Sequence, residues 1–459
     1  MNFSIDNTDR IKNAYFIGIG GVSMSSLATI LMQKGVSISG YDMKETETTK
    51  KLSESGANIS YDISSDIPED VDTIIYTAAI KDDNPLMLKA KHSGAKILTR
   101  AQLLGAIANS FNTSIGVAGT HGKSTTTGLL SSICLTHDEN TAVLSGANLP
   151  FLGSFYKSGN GKRIVYEACE YKNSYHSMIP TIKVILNCEH DHVDFFPTLE
   201  DVISSFRTFI NENRNQNSEN ISVVNKDCKN CLIAAQNTSS KVYYYSICEN
   251  ADFSAFDIDI SSGYARFSLK LSDGTIIKNI SLKIPGIHNV SNSVAAAAAA
   301  FLSGVSPENI KAGLESFTGV SRRFEYLGDY NGARVFDDYA HHPDEIDVTL
   351  RAARNLRPER LICVFQPHTY SRTYEMLDAF AASLSLADKI YLCDIYAARE
   401  ANTSGVSSED IMKRMENAVC LGSFENIAKA LSAELKPGDY CITMGAGEAY
   451  KVANILLDK

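Results

Sequence analysis

No run of about 18 apolar residues occurs in the chain, so no segment is a candidate for a membrane-spanning helix. Positive charge is also short. Against 53 Asp and Glu there are 43 Lys and Arg, a formal net charge of −10, which argues against nucleic acid as the main partner because a phosphate backbone needs a basic surface. Residues 1–12 are polar and carry no apolar signal core, which predicts a cytoplasmic protein. A cysteine framework is missing too. The ten cysteines are scattered; only Cys228 and Cys231 stand three apart, and no second pair or nearby His completes a zinc site. Buried or free thiols in a reducing compartment are the expectation. No short-period repeat is visible.

What is present suits a large globular protein. The 459 residues, 44% hydrophobic and 21% charged, are enough for about three domains with cores of their own. Short apolar runs at 14–19, 36–40, 71–77 and 96–98 alternate with amphipathic stretches, which predicts a small parallel sheet with helical crossovers. A second, more varied unit starts at the run 114–118. It includes a hairpin expected at Asp273-Gly274, between 267–271 and 275–280, and six alanines at 295–300 inside a helical pattern. From about residue 320 the alternation returns, with strands expected at 334–336, 361–365, 389–393 and 440–444. The fold class is therefore α/β, three domains in tandem, with boundaries expected at 1–106, 107–319 and 320–459.

The strongest local signal is Gly119-Thr120-His121-Gly122-Lys123-Ser124-Thr125, which follows an apolar strand and opens a helix expected from 124 to about 135. Glycines let backbone N–H groups close around phosphate oxygens, and the helix N-terminus adds partial positive charge. Lys123 can reach terminal phosphates, and the Ser124 hydroxyl can ligate Mg²⁺. Val117 stands where the usual P-loop has its first glycine. The alternative is a plain Gly-rich turn, but strand, loop, lysine and hydroxyls occur here in the required order.

Acidic groups gather downstream. Glu167 ends the strand 163–166, and Glu189, Asp191, His192 and Asp194 follow the strand 183–186. Strand ends beside a phosphate loop are where nucleotide-bound Mg²⁺ finds protein ligands, although strand ends are polar in any α/β protein. A second glycine loop, Gly18-Ile-Gly20-Gly21-Val-Ser23, separates the first strand from the helix 24–34, with Asp42 at the end of the next strand as a possible ribose ligand. Ser23 replaces the third glycine of the dinucleotide fingerprint, so the loop points to a diphosphate-bearing ligand and not specifically to a nicotinamide cofactor. In the last unit, Asp337-Asp338-Tyr339-Ala340-His341-His342-Pro343 and Gln366-Pro367-His368-Thr369-Tyr370-Ser371-Arg372-Thr373 follow expected strands, as a ligand crevice would require.

Together these strings resemble the Mur ligase family over essentially the whole chain, with seven motifs in family order. The resemblance implies a Rossmann-like UDP-binding domain, a P-loop-type ATP-binding central domain and a Rossmann-like C-terminal domain. Gly18, Gly20, Gly21, Ser23, Met24, Ser25, Asp42 and Arg100 then hold a UDP-sugar, and Gly119 to Thr125 with Asn289, Asn292, Arg323 and Asp338 hold ATP. It further implies Mg²⁺ on Ser124, Glu167 and His192, catalytic roles for Lys123, His192 and Arg323, and an amino-acid site at Tyr339, His341, His368 and Arg372. The C-terminal strings look like those of the alanine-adding branch. That branch phosphorylates the lactyl carboxylate of UDP-N-acetylmuramate with ATP, and L-alanine then attacks the acyl phosphate. Soluble small-molecule substrates, a monomer or homodimer, and no membrane insertion follow from the same resemblance.

Three positions depart from the pattern: Thr369 stands where some relatives carry Arg, Cys169 where many carry Asp, and Gln102 where Glu is common. The attack needs a neutral amine and hence a base, for which His192 and His368 are both chemically suited. Rival readings are a ligase that attaches a preformed tripeptide, a non-catalytic nucleotide sensor, and an oxidoreductase suggested by the first glycine loop alone.

Overall fold

The computed structural model describes residues 10–77, 79–193, 195–213, 219–398 and 400–458. Its strands form three sheets. The first contains β1 (Asn13–Ile17), β2 (Ser37–Tyr41), β3 (Asn58–Ser60), β4 (Thr73–Tyr76) and β5 (Lys96–Thr99), all parallel, in the order β3-β2-β1-β4-β5. The order reverses beside β1, and such a switch point leaves a crevice at the carboxyl ends of the strands. The first glycine loop lies there, between β1 and the helix Val22–Gln33.

The second sheet has ten strands: β6 (Thr113–Ala118), β7 (Ala142–Leu149), β8 (Ser154–Lys157), β9 (Arg163–Glu167), β10 (Ile182–Ile185), β11 (Ile221–Asn225), β12 (Lys241–Ser246), β13 (Phe253–Asp259), β14 (Tyr264–Lys270) and β15 (Ile276–Pro285). Central β6 pairs in parallel with β9 on one side and β10 on the other. The expected hairpin joins β14 to β15: Gly274 has φ +88°, which glycine adopts without steric cost, and Leu271 N–H donates to Thr275 O at 2.8 Å. All six alanines of 295–300 are buried in the helix His288–Leu302.

The third sheet comprises β16 (Glu325–Tyr330), β17 (Ala333–Asp338), β18 (Leu361–Phe365), β19 (Lys389–Cys393), β20 (Ala418–Gly422) and β21 (Tyr440–Met444), in the order β16-β17-β21-β18-β19-β20. Only β16 runs antiparallel, paired with β17; it and β20 lie at the edges.

By packing, the chain divides into two compact units. One is Met1–Ala255, Leu269–Ile277 and Asn292–Leu314; the other is Phe256–Ser268, Lys278–Ser291 and Glu315–Lys459. The first sheet and most of the second lie in the first unit and the third sheet in the second; much of β14 and β15 also falls in the second unit. A packing reason is visible at Gly105, in the helix Arg100–Asn109: a Cβ there would collide with the Ser177 carbonyl of the central region, so the two regions meet backbone to backbone. Among the described residues no helix is long and apolar enough to cross a membrane.

Candidate active site

Most helices in the first unit begin with a polar cap. Thr46, Asn84, Thr99 and Thr198 each accept a backbone N–H through a side-chain oxygen. The two helices that follow the glycine loops do not. Val22–Gln33 starts from Gly21 and Lys123–His137 from Gly122, neither with a side-chain cap. Their first-turn N–H groups point outward without a protein acceptor of that kind, which is the arrangement that binds phosphate oxygens.

The loop from Gly119 to Lys123 is built around two backbone conformations that need glycine. Gly119 has φ +151° and Gly122 φ +81°, and a Cβ at Gly122 would come within 2.8 Å of Asn292 Oδ1. The segment after β10 clamps this loop. Asn187 Oδ1 accepts from His121 N–H at 2.7 Å, and its Nδ2 donates to His121 O at 3.1 Å. Thr120 Oγ1 accepts from Glu189 N–H at 2.9 Å.

Lys123 curls back over its own loop. Nζ donates to Gly119 O at 2.5 Å, to Thr120 O at 3.0 Å and to Glu170 Oε1 at 3.0 Å. Burial lowers the affinity of this amine for its proton, but the Glu170 carboxylate outweighs that, and the net shift of Lys123 is upward. In Glu170 burial favours the neutral acid and Lys123 reverses it, so its pKa lies below the usual carboxylate range. The second Glu170 oxygen, Oε2, is buried with no hydrogen-bond partner. His192 Nε2 is 3.6 Å from Glu170 Oε1, and the His192 ring packs 4.7 Å from Tyr171. His192 has φ +54°, in the left-handed region of backbone conformation.

At the first glycine loop, Gly18 and Ile19 N–H groups donate to Tyr41 O at 2.8 and 3.0 Å. Asp42 closes the loop from the other side: Oδ2 accepts from Gly20 N–H at 2.7 Å and Oδ1 from Met43 N–H at 2.8 Å. Arg100 Nη1 donates to Ser23 Oγ at 3.0 Å. Burial lowers the Arg100 pKa, partly offset by the nearby Cys169 and Glu167. The basic residue of the first sheet therefore faces the acidic corner of the second.

In the second unit, Asp338 is buried at the end of β17. Its carboxylate accepts from Phe324 N–H and Ala340 N–H, both at 2.7 Å. Burial pushes its pKa up to about 6, against the pull of Arg323 and those two amides. The Arg323 and Arg322 guanidiniums lie 5.3 and 5.0 Å from the Tyr339 ring centre. Glu345 gathers two of these groups, with Oε1 3.9 Å from Arg323 and Oε2 3.3 Å from His341 Nδ1. The His341 and His368 rings meet edge to face at 5.6 Å, and His368 stacks on Tyr396. Burial lowers the pKa of both histidines, His341 to about 4, with Arg372 adding to the effect. Both rings are neutral at neutral pH. His368 Nδ1 and Arg372 Nη1 are buried without hydrogen-bond partners. A neutral imidazole beside an unpaired guanidinium suits a carboxylate-bearing ligand.

Comparison with known proteins agrees with this geometry. The model of the Mur ligase family, catalytic domain matches residues 13–112; that of the Mur ligase middle domain matches 117–300; that of the Mur ligase, glutamate ligase domain matches 322–447. A UDP-N-acetylmuramate–L-alanine ligase of Acetivibrio thermocellus is 42% identical over 460 residues, covering 99% of this chain and 97% of the relative. The chain belongs to the Mur ligase family. Solved structures carry the same fold. UDP-N-acetylmuramate-alanine ligase MurC from Thermotoga maritima superposes with TM-score 0.81 at 24% identity, over 97% of this chain and 98% of that one. A murein peptide ligase from Psychrobacter arcticus gives TM-score 0.68 at 23% identity, with 97% and 98% covered.

With this Mur ligase fold in hand, each expected residue can be placed. The phosphate loop, Asn292 and His192 come together in the first unit, as do Ser23 and Arg100. In the second unit, Arg323, Asp338, Tyr339, His341, His368 and Arg372 gather around the ends of β17 and β18. Asn289 falls in the second unit, where its amide donates to Pro285 O at 2.7 Å. Asp194 lies outside the described residues.

Glu167 Oε1 accepts from Gly146 N–H at 2.6 Å and from Ser145 Oγ at 3.3 Å, while Glu170, three residues on and past the strand, is the carboxylate beside Lys123 and His192. The Asp42 carboxylate accepts from the loop's own amides. The sequence reading also missed Asn187, Glu345 and Tyr396. Asn187 directly follows a buried strand leading to the acidic cluster, which was the available signal; Glu345 and Tyr396 carry none in sequence.

Proposed function

We propose that this Mur ligase is an ATP-dependent, ADP-forming enzyme that joins L-alanine to UDP-N-acetylmuramate in peptidoglycan precursor synthesis. The observation that carries the reading is the buried Lys123–Glu170–His192 contact at an uncapped, glycine-started helix, the equipment of phosphoryl transfer. The curated relative's name supplies the substrates, alanine and UDP-N-acetylmuramate. The tripeptide-adding reading is weaker, since the curated relatives at 40–43% identity over the whole chain carry the L-alanine ligase name. The intact lysine, carboxylate and imidazole argue against a sensor, and Ser23 in place of the third glycine argues against a nicotinamide site.

In this mechanism the sugar diphosphate lies at the uncapped helix start after Gly21, with Arg100 and Ser23 alongside. ATP phosphates lie on the N–H groups of Gly122 to Thr125. Lys123 leaves its carbonyl partners to meet the transferring phosphoryl group and offsets its growing charge. Mg²⁺ fits here, because the orphaned Glu170 Oε2 is a buried oxygen donor with nothing else to hold. Glu170, the Ser124 hydroxyl and His192 would hold it, and it would supply charge neutralisation at the phosphate oxygens. Among the described residues no three His, Cys, Asp or Glu side chains converge as a metal cage; Mg²⁺ in nucleotide sites characteristically takes few protein ligands.

Arg372 binds the carboxylate of alanine, and Tyr339 and His341 flank the amine. Neutral His368 accepts the amine proton as the carbonyl is attacked. Phosphate then leaves from the tetrahedral intermediate. Arg323, Asn289 and Asp338 serve the nucleotide, and domain boundaries near residues 106 and 319 complete the proposal. Omission of one substrate at a time tests it. ADP formation should require UDP-N-acetylmuramate, and steady turnover should also require alanine; equal ADP formation without the sugar would refute the ligase reading.

A further inference from the structure

Glu170 directly precedes the segment Tyr171–Ser177, whose backbone takes an uncommon path. Lys172 and Asn173 are both left-handed, with φ +53° and +55°. Neither is glycine, and asparagine visits that region more readily than lysine, so two in succession need support from outside the turn. The turn is tied to the residues before it: Asn173 N–H donates to Glu170 O at 2.8 Å, and Tyr175 N–H to Cys169 O at 3.0 Å. A displacement of Asn173 therefore pulls on Glu170.

The outside support comes from Ser205, in the helix Leu199–Asn211. Its hydroxyl donates to Asn173 Oδ1 at 2.5 Å. A hydroxyl has one hydrogen, so its other two contacts must donate to it: Tyr175 OH at 2.7 Å and His176 Nε2 at 3.2 Å. With both lone pairs filled, the Ser205 hydrogen is left for Asn173. Each of those donors is itself held in place. The Tyr175 ring is fully buried and stacks on Phe209 at 4.4 Å, and His176 Nδ1 lies 2.8 Å from Glu212 Oε1. The turn at the other end of this network carries the carboxylate that bonds Lys123 at 3.0 Å.

We propose that Asn173 and Ser205 are positioning residues for phosphoryl transfer: their hydrogen bond holds the left-handed turn that sets the Glu170 carboxylate against Lys123 and His192. The inference rests on the ligase reading of the site.

Asn173 is exposed, so it can be changed without disturbing the core. Asn173→Gly keeps the left-handed backbone and removes only the acceptor, whereas Asn173→Asp keeps both. ADP formation with UDP-N-acetylmuramate and L-alanine is measured for each, alone and combined with Glu170→Gln. Asn173→Gly should lower kcat about tenfold and leave KM for alanine unchanged, the pattern of a misplaced reacting group. Asn173→Asp should turn over like the unmutated protein, and Ser205→Ala should repeat the loss seen with glycine. In the Glu170→Gln background Asn173→Gly should cost nothing further, because the carboxylate it positions is gone. A crystal structure of Asn173→Gly should show Glu170 out of hydrogen-bond reach of Lys123. Unchanged kcat in Asn173→Gly, an equal loss in both backgrounds, or an undisturbed Glu170–Lys123 bond would each overturn the inference. Absence of ADP formation by the unmutated protein would instead refute the ligase reading on which it rests.

Discussion

Lys123 and Glu170 show how one pair sets both charge and chemistry. The lysine is held protonated by a carboxylate, and the carboxylate is held ionised by the lysine. Lys123→Ala removes a phosphoryl contact and leaves a buried carboxylate unpaired. Turnover should fall by at least about a hundredfold, roughly 3 kcal/mol of lost transition-state stabilisation. Steady-state phosphate release measures this, with circular dichroism to show that the variant is folded; near-normal turnover would contradict the assignment. Glu170→Gln should impair turnover more than Glu167→Gln, because only Glu170 touches Lys123 and His192. At the other site, Arg372→Lys keeps the charge but loses the planar fork that pairs with a carboxylate. KM for alanine should rise steeply while those for ATP and the UDP-sugar change little.

Asp338 and His341 are three residues apart and shift in opposite senses, which gives a pH test. Asp338 moves up from 3.8 to about 6, so the folded state holds its proton longer, and stability is lost as pH rises through that window. His341 moves down from 6.5 to about 4, so the unfolded chain takes up the proton first, and stability is lost as pH falls through that window. Each contribution is roughly 3 kcal/mol and the windows overlap, so between pH 4 and 6 they largely cancel. His341→Asn should expose the Asp338 contribution, so that stability declines as pH rises from 4 to 6 relative to the unmutated protein. Urea denaturation at closely spaced pH values tests the sign; a decline in the opposite direction would refute it.

At the scale of elements, the departure at Gln102 has a simple explanation. Thr99 and Gln102 form a capping box at the start of the helix Arg100–Asn109: Gln102 Oε1 accepts from Thr99 N–H at 2.8 Å, and Thr99 Oγ1 from Gln102 N–H at 3.2 Å. Gln and Glu fill that role equally. Gln102→Glu should therefore change stability by less than about 0.5 kcal/mol, whereas Thr99→Ala should cost about 1 kcal/mol. Chemical denaturation of both variants checks the contrast. The largely buried strands β6, β18 and β21 were legible as apolar runs. Strands β3 and β16 were not. β3 has three residues and β16 is an edge strand broken by Gly328 and Asp329, so neither has a continuous apolar run; β20 has the short run 418–421, which was passed over.

Across the whole molecule, the alternation of strands and helices was readable because each parallel strand needs its own crossover. The backbone-to-backbone approach at Gly105 was not readable, because it leaves only a single glycine in sequence. The candidate site divides the same way. Glycine loops and the His-rich strings announce themselves by composition, but the placing of Glu170 beside Lys123 depends on where β9 ends and the chain turns. The central claim is that the incoming amine is free alanine. Phosphate release from ATP with UDP-N-acetylmuramate, compared between L-alanine and the preformed tripeptide, tests it most directly. A kcat/KM preference for alanine of at least about tenfold, roughly 1.4 kcal/mol, is the predicted result; a preference for tripeptide would contradict it.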